Sequence, residues 1–318
     1  GRHPFLKQDG MSEIYYKKGN MSMNAELEYF LSQLVNGLAL GSMYAMIAVG
    51  YSMVYSLLYQ VNFAHGDLYV FGTFIALSFM TSNLPVLVAI PLAGVLTGMI
   101  GMLIERTVYR PVRGANRVVP MISALGAAFV LRTIAQVIWG AEPLSFPALI
   151  DRGASFTIGG FRVTYQQILV LGVALVSMLL LTYVMEKTKL GRGTQCIMQD
   201  INTAYLMGVP VNKIIPLVYA MGGFLGVIGG VLFSSYYNNI SISMGMWGTI
   251  KAWAAAMLGG VGTFYGSFFG GVLFGLAETY AGAYISTGFK EAIGYLVIVI
   301  ILLIKPTGLF GKKKAKKV

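Results

Sequence analysis

Long apolar runs separated by short polar turns make up almost all of the chain beyond residue 28. One helical crossing of a bilayer core requires about 20 apolar residues. Runs of this kind predict membrane helices at 29–50, 63–81, 84–104, 118–139, 166–185 and 213–237. A longer run at 247–284 is divided into two short glycine-rich helices by the sequence GGVGTFYG at 259–266, and a last run covers 290–304. The pattern predicts nine crossings, with eight or ten as alternatives.

Composition points to the same class of protein. Of 318 residues, 56% are hydrophobic and 11% are charged, and the mean hydropathy is +0.71. Average soluble domains contain about 25% charged residues, which cover their water-facing surface. The chain is therefore predicted to be an all-α polytopic membrane protein with broken, glycine-rich helices.

The net charge of +11 comes from 23 basic and 12 acidic residues, and their distribution argues against nucleic-acid binding. Basic residues cluster in short loops between apolar runs, as the positive-inside rule expects of cytoplasmic loops. Such clusters lie at 105–117, 186–213 and 311–318. With nine crossings and an external N-terminus, every loop obeys the rule except the start, where Lys17 and Lys18 conflict with it. If 30–60 forms two short crossings instead, the N-terminus is cytoplasmic and the total is ten.

These patterns divide the chain into a few parts. The parts are a polar N-terminal extension at 1–28, one transmembrane domain at 29–304, its cytoplasmic loop at 186–212, and a basic tail at 305–318. The extension does not begin with Met, although Met11, Met21 and Met23 offer native starts, so we expect part of it to be a foreign or upstream remnant. The tail lysines are expected to orient the protein and to attract anionic membrane lipid.

A weak internal similarity suggests a repeat at an offset of 173 residues. Gly98 and Glu105 match Gly271 and Glu278, and each glutamate closes a helix with spaced glycines. In the nine-span topology the two glutamates face opposite sides of the membrane. Inverted repeats of this kind are common in transporters, where the pathway lies at the repeat interface. Glycine spacing that serves only helix packing is the alternative.

Two polar stretches interrupt the apolar runs, QVNFAHGDLYVFG at 60–72 and YYNNISISMGMWG at 236–248. Non-helical backbone at membrane depth is tolerated where it is buried in protein or lines a water-filled cavity. We therefore expect these stretches to line a solute path, and ordinary interfacial turns are the alternative. The residues expected along the path are Asn62, Phe63, His65, Gly66, Asp67, Asn239, Ser241 and Ser243. For His65, a packing role is the alternative to ligand contact.

Some ionisable residues lie in or beside the apolar runs, where charges are costly and often functional. They are Asp67, Arg132, Lys251 and Glu278. An ion-coupled transporter would use such groups. The predicted boundaries place Asp67, Arg132 and Lys251 within about two turns of an interface, so we expect these side chains to snorkel into water.

The run at 36–74, with NFAHGD at 62–67, resembles the N-terminal part of the branched-chain amino-acid permeases of bacterial ABC importers, specifically the LivH type. Further motifs of this family follow in the family's order. They are ERTVYRPVRG at 105–114, GRGTQCIMQDINTAYLMGVPVNKI at 191–214, KAWAAAMLGGVGTFYGSFFGGVLFGLAE at 251–278 and KPTGLFGKK at 305–313. The resemblance covers nearly everything after residue 29.

The resemblance implies a permease of the bacterial cytoplasmic (inner) membrane with a cytoplasmic C-terminus, paired with a similar, LivM-like subunit. It also implies two ATPase subunits that bind ATP and Mg, and an extracytoplasmic substrate-binding protein that delivers branched-chain or related amino acids. A urea or amide ABC permease and an ion-coupled secondary transporter remain as alternatives.

The chain itself is expected to hold no cofactor or metal and to have no catalytic residues. Phosphate-binding loops follow the pattern G-x-x-x-x-G-K-[ST]. The nearest match, GLFGKKK at 308–314, lacks both the spacing and the hydroxyl group. The sequence also contains no paired carboxylates, Ser-His-Asp set or histidine-rich cluster typical of enzymes.

The loop sequence QDINTAYLMG at 199–208 resembles the segment by which permeases of ABC importers dock on their ATPases. Asp200, Ala204 and Gly208 fall at i, i+4 and i+8, which predicts that they share one face of a helix. Gly208 and Pro210 are expected to end that helix. The residues assigned to ATPase coupling are Gln199, Asp200, Asn202, Thr203, Ala204 and Gly208. A solvated amphipathic linker is the alternative.

Overall fold

The computed structural model describes residues 23–116, 118–151, 153–158, 160–260 and 262–311. The predicted remnant at the N-terminus, Lys17 and Lys18, and the lysines of the tail beyond residue 311 lie outside the described residues.

Helices dominate the described residues, which confirms the predicted all-α class. In chain order they are α1 Met23–Leu58, α2 Ala64–Thr81, α3 Val86–Ile104, α4 Val118–Trp139, α5 Tyr165–Lys187, α6 Lys189–Gln199, α7 Ile201–Leu206, α8 Val211–Tyr237, α9 Met244–Gly259, α10 Phe264–Tyr284 and α11 Lys290–Ile304. A π-helical turn, Glu105–Tyr109, and a 3₁₀ turn, Arg110–Val112, extend α3. One short antiparallel hairpin, β1 Ser155–Ile158 and β2 Phe161–Thr164, precedes α5.

The helices make this a multi-pass membrane protein, although the predicted count of nine crossings is not confirmed. Within the described residues, the segments long and apolar enough to cross a membrane are Ala25–Leu58, Val86–Val112, Val118–Trp139, Tyr165–Lys187 and Val211–Tyr237. The bent pair of α9 and α10 makes a sixth if it is one span. The shorter helices α2 and α11, of 18 and 15 residues, are not among them.

The first helix, α1, runs without a break for 36 residues, or about 54 Å. The alternative in which 30–60 forms two short crossings is therefore wrong. No proline interrupts this stretch, and its glycines serve close packing instead of a turn. Gly41 lies so near α10 that a Cβ atom would come 2.5 Å from the carbonyl oxygen of Val272. Small residues allow membrane helices to approach in this way.

The layers follow from burial. The apolar part of α1 is 94% buried, and α1 packs against α10, α8, α9 and α5. By contrast, α3, α4 and α5 are about one-third buried over their apolar windows, which places them at the periphery. A second glycine contact joins α3 to α8, where Gly223 faces the backbone of Thr97. Helix α1 thus lies at the core of the structure. The helices that pack against it surround it, and α3, α4 and α5 form an outer layer.

The predicted glycine-rich break is present. Helix α9 ends at Gly259, α10 begins at Phe264, and their axes differ by 115°. Gly260 and Gly262 have φ values of +108° and +90°, a backbone region that favours glycine. The chain can turn sharply here because these two positions carry no side chain.

The two predicted polar interruptions are shorter than expected. Non-helical backbone covers 59–63 and 238–243, whereas the rest of each stretch belongs to α2, α8 or α9. Helix α2 begins early because the Asn62 side chain accepts a hydrogen bond from the amide of Ala64 at 3.0 Å. Asn238 ends α8 with a left-handed φ of +56°.

The first residues of the predicted tail pack back onto the helices. The amides of Leu309 and Phe310 donate hydrogen bonds to the carbonyl oxygens of Leu258 and Gly259, at 2.9 and 2.8 Å. These bonds satisfy carbonyl groups at the end of α9 that have no partner within the helix. The predicted inverted repeat stays a prediction. Glu105 and Glu278 are both buried.

Candidate functional site

The N-terminal turns of α2 and α9, one from each polar interruption, pack directly against each other. A Cβ atom on Gly66 would lie 2.0 Å from the carbonyl oxygen of Gly245, and 1.9 Å from Oγ1 of Thr249. The Tyr69 hydroxyl donates a hydrogen bond to the carbonyl oxygen of Met244 at 2.9 Å. Residues separated by about 180 positions in the sequence therefore form one junction, which we call the α2–α9 junction.

Asn62 and His65 lie buried on the α2 side of this junction. Asn62 is 4% exposed, and its side-chain oxygen also accepts a hydrogen bond from the hydroxyl of Tyr109. His65 is 1% exposed and lies between Gly50 of α1 and Gly226 of α8. Its Nε2 atom has no hydrogen-bond partner in the described part of the chain. Buried polar atoms nearly always have a partner, so this nitrogen is an exception that retains the capacity for one further hydrogen bond.

Asp67 is held by Arg132 of α4 in a two-point ion pair. Nε and Nη2 of Arg132 each donate to one carboxylate oxygen at 3.0 Å, and the Asp67 side chain is 4% exposed. The prediction that these side chains snorkel into water is therefore wrong for this pair. A buried charge needs a close partner of opposite sign more than it needs distant water. In this conformation Asp67 fixes the start of α2 against α4.

A second buried charge cluster joins α1, α9, α10 and α11. Nζ of Lys251 lies 3.0 Å from the Tyr44 hydroxyl, from Oε1 of Glu278 and from Oε1 of Glu291. Lys251 is 9% exposed and Glu278 is 1% exposed, so the predicted snorkelling of Lys251 is also wrong. Sequence reasoning missed Glu291. The signal available was that a charge in an apolar run requires a partner, but no spacing rule identifies one 40 residues away.

The α9 side of the junction is held at its outer end by backbone pairing. Ile240 exchanges two hydrogen bonds with Leu144, at 2.9 and 3.0 Å. The hydroxyls of Ser241 and Ser243 lie 2.9 Å apart. Asn239 and Ser243 are exposed, Ser241 and Phe63 are half-buried, and Gly66 is buried. The predicted path residues thus occupy both sides of the α2–α9 junction, with the polar side chains after α8 accessible and those before α2 enclosed.

The predicted coupling segment forms a separate surface made of α6 and α7. Asp200 lies before α7, and its carboxylate accepts a hydrogen bond from the amide of Thr203 at 2.8 Å, so it starts the helix. Helix α7 ends at Leu206, and Gly208 follows with a φ of +77°. The predicted helix end is therefore confirmed, but Asp200 and Gly208 flank the helix and do not share one face of it with Ala204. The helix has only six residues because a side-chain cap and a left-handed glycine define its ends.

Exposure divides this coupling surface sharply. Ala204 is 2% exposed and anchors α7 to the protein, whereas Leu206 and Met207 are 88% and 78% exposed. Gln199, Asn202 and Thr203 are also exposed. Large exposed apolar side chains next to polar ones are typical of a surface that binds another protein.

Hydrogen bonds connect the coupling surface with the start of α2. The Tyr205 hydroxyl donates to Oδ1 of Asn212 at 2.9 Å, and Arg113 donates to the same oxygen at 3.3 Å. Arg113 also pairs with the buried carboxylate of Glu105. Glu105 opens the π-helical turn that carries Tyr109, the partner of Asn62. Sequence reasoning did not find this chain of contacts, because its members come from three separate loops.

Neither surface resembles an active site within the described residues. No group of three or more His, Cys, Asp or Glu side chains there is arranged to hold a metal ion. The junction offers polar side chains, and the surface of α6 and α7 offers exposed apolar and polar side chains.

Comparison with known proteins identifies the family. The family model for the permease component of branched-chain amino acid transport systems matches residues 33–305. The chain is 34% identical over 305 residues to the high-affinity branched-chain amino acid transport system permease protein BraD of Pseudomonas aeruginosa, an overlap of 92% of this chain and 99% of BraD. It is 32% identical over 310 residues to LivH of Escherichia coli K12, covering 93% of this chain and all of LivH.

Similarity also extends to an archaeal relative. The probable branched-chain amino acid transport permease protein LivH of Methanocaldococcus jannaschii is 26% identical over 298 residues, with 86% of this chain and 90% of the relative covered. The match spans the α2–α9 junction, the coupling surface and both charge clusters. The chain therefore belongs to the family of permease components of branched-chain amino acid transport systems.

Proposed function

We propose that this chain is the membrane permease subunit of an ATP-binding-cassette importer and forms part of the translocation path for branched-chain or related amino acids. Family membership over 33–305 is the observation that carries the proposal. The joined polar interruptions support it, because they bring polar side chains together between apolar helices, where a polar solute would need them.

The proposed path runs along the α2–α9 junction. The residues assigned to it are Asn62, Phe63, His65, Gly66, Asp67, Asn239, Ser241 and Ser243. Asn62, His65 and the two serines offer hydrogen bonds to the ammonium and carboxylate groups of an amino acid. Gly66 and Asp67 act by positioning, since one permits the contact with α9 and the other is bound to Arg132.

The proposed complex contains a second, LivM-like permease, two ATPase subunits and an extracytoplasmic substrate-binding protein, in the inner membrane with the C-terminus in the cytoplasm. ATP and Mg bind to the ATPases, and this chain contributes no cofactor site. The coupling residues are Gln199, Asp200, Asn202, Thr203, Ala204 and Gly208. The exposed Leu206 and Met207 extend this set.

Uptake into sealed vesicles that contain the whole complex tests the proposal. Labelled leucine, supplied with the binding protein on one side, should cross only when hydrolysable ATP is present on the side of the ATPases. Uptake that continues without ATP and stops with a protonophore would contradict it and favour an ion-coupled transporter. Competition by urea or short amides, without competition by valine or isoleucine, would instead favour a urea or amide permease.

The coupling assignment is tested by Gly208→Trp. The left-handed φ of +77° costs a non-glycine residue about 1–2 kcal/mol, and the indole adds bulk where the partner would dock. We expect uptake to fall at least about tenfold, the factor that 1.4 kcal/mol represents, while insertion into the membrane is unchanged. Gly140→Trp is the matched control, because Gly140 also has a positive φ, +87°, and open space around it but lies after α4, away from α6 and α7. Equal loss in both variants would reject a specific role for Gly208.

A further inference from the structure

A long groove runs down the outer surface of the helix bundle between α3, α5 and α8. Its upper part has a volume of about 380 Å³ and is lined by residues such as Gly94, Val95, Leu180, Val184 and Phe224. Its lower part has a volume of about 490 Å³ and lies at the ends of α3 and α8. Met99 and Met102 line both parts, so the two are adjacent.

The upper part of the groove is apolar. Ser177 is the one residue with a polar side chain among those that line it, all of which lie in the described part of the chain. Glycine creates the space: Gly94 lies against the Phe224 ring, where a Cβ atom would come 2.6 Å from Cδ2. The neighbouring side chains of Val95 and Leu180 are 52% and 62% exposed, so the groove opens outward, toward lipid.

The lower part carries two positive charges. Arg106 follows α3 by two positions, and Lys213 is the third residue of α8. Both line the groove and are exposed, and neither side chain forms a salt bridge or a hydrogen bond within the described residues, although Arg106 is attracted electrostatically by the neighbouring Glu105. The nearest carboxylate in the sequence, Glu105, is buried and paired with Arg113. The lining of the lower groove contains no acidic residue to neutralise them.

The two cations lie near the ends of the candidate spans Val86–Val112 and Val211–Tyr237, on the side of the protein that carries α6 and α7. Phospholipid headgroups occupy this level, with their acyl chains directed along the apolar part of the helices. Basic pockets between membrane helices are suited to anionic headgroups. Pro216 also lines the lower groove and leaves the carbonyl group of Asn212 without its helical partner.

We propose that this groove binds one anionic phospholipid, with an acyl chain in the apolar upper part and the headgroup phosphate between Arg106 and Lys213. An apolar slot adjacent to a basic end favours a lipid over a free anion. The absence of an acidic residue from the lining favours an anionic headgroup over a zwitterionic one. Lipid binding at this site depends on the leaflet in which the lipid lies. It does not depend on the identity of the transported solute.

The headgroup would sit beside the contacts that link the coupling surface to α2. Asn212, which lines the lower groove, accepts hydrogen bonds from both Tyr205 and Arg113. A phosphate bound to Lys213 therefore stabilises the first turn of α8 in the position that these bonds require.

Lipid retention by the purified full chain, together with the subunits that co-purify, tests the site. Native mass spectrometry and thin-layer analysis measure bound phosphatidylglycerol after extensive exchange into detergent. Arg106→Gln with Lys213→Gln should weaken retention roughly thirtyfold, since each basic residue near a membrane surface contributes about five- to sixfold in affinity for anionic lipid. Lys189→Gln with Arg192→Gln, at exposed positions of α6, is the matched control and should leave retention unchanged.

Two further variants separate this site from general surface attraction. Val95→Trp should block the upper groove and reduce retention, whereas Val137→Trp, at an 81% exposed position of α4, should not. Arg106→Lys with Lys213→Arg keeps both charges and should keep the lipid, which excludes misfolding as the cause of a loss.

Several results would overturn the proposal. They are unchanged retention in the double glutamine variant, an equal loss in the α6 control, and unaffected retention in Val95→Trp. Competition by water-soluble glycerophosphate would also overturn it and would identify a free-anion site. Equal binding of phosphatidylcholine and phosphatidylglycerol would also contradict it.

Discussion

At the scale of single residues, the charged side chains inside the apolar helices are paired with partners. Asp67 is bound by Arg132, and Lys251 contacts two carboxylates and a tyrosine hydroxyl. Sequence alone identified Asp67, Arg132, Lys251 and Glu278 as exceptional. It could not identify their partners, because each pair joins different helices and no spacing rule relates their positions.

We expect Arg132→Gln to lower the free energy of unfolding by about 3 kcal/mol, because it leaves the Asp67 carboxylate buried without its cation. Adding Asp67→Asn should recover most of this loss, since two neutral amides need no counter-charge. Thermal unfolding in detergent measures both variants, with the exposed Arg192→Gln as the control. A double variant no more stable than Arg132→Gln would show that the loss has another origin.

Gly66 is a second residue whose replacement should destabilise the protein, because the backbones of α2 and α9 are in contact there. Gly66→Ala should destabilise the protein by about 1–3 kcal/mol, because the new methyl group overlaps Thr249 and the backbone of Gly245. Gly172→Ala in α5 is the comparison: nothing lies within 4 Å of its added carbon, and the change favours helix by about 1 kcal/mol. Equal effects on the unfolding temperature would refute close packing at the α2–α9 junction.

At the scale of secondary-structure elements, the ends of helices were easier to predict from the sequence than the contacts between helices. The glycines near 259–266 and Gly208 were recognised as breaks because few other residues adopt a positive φ. The two polar interruptions were predicted too long, since the side chain of Asn62 starts α2 early. The π-helical turn Glu105–Tyr109 had no signal in the sequence, because its geometry depends on partners in other loops.

The hydroxyl of Tyr109 joins the π-helical turn Glu105–Tyr109 to Asn62, just before α2. Tyr109→Phe removes one buried hydrogen bond, worth about 1 kcal/mol, without changing the shape of the ring. In the proposed complex we expect roughly fivefold slower uptake with ATP hydrolysis retained, because the coupling surface no longer directs the start of α2. Tyr183→Phe, at a 64% exposed position, should behave as the unmodified protein. If uptake and hydrolysis fell together in Tyr109→Phe, the link would not be specific.

At the scale of the whole molecule, hydrophobic pattern and charge were sufficient for the all-α membrane class, and the order of the sequence motifs was sufficient for the family. They were insufficient for the number of crossings, because α2, α9 and α11 are short and their depth depends on packing. The central position of α1 was also unforeseen. Its glycines resembled those of any membrane helix until their neighbours in α8 and α10 were known.

Orientation can be tested directly because the chain contains one cysteine, Cys196, which is exposed on α6. A membrane-impermeant maleimide should label it only after cells are permeabilised, as the basic loops around it predict. In a Cys196→Ser background, Thr287→Cys, in the exposed turn after α10, should be labelled in intact cells. Labelling of Cys196 in intact cells would reverse the assigned topology.

The packing of Leu309 and Phe310 against the end of α9 has a practical consequence for protein engineering. These residues complete the backbone bonding of a helix that forms half of the α2–α9 junction. Affinity tags or fluorescent fusions joined after Gly311 leave both bonds in place, whereas those that replace 305–311 remove them. Expression trials of this protein should therefore truncate no further than residue 311.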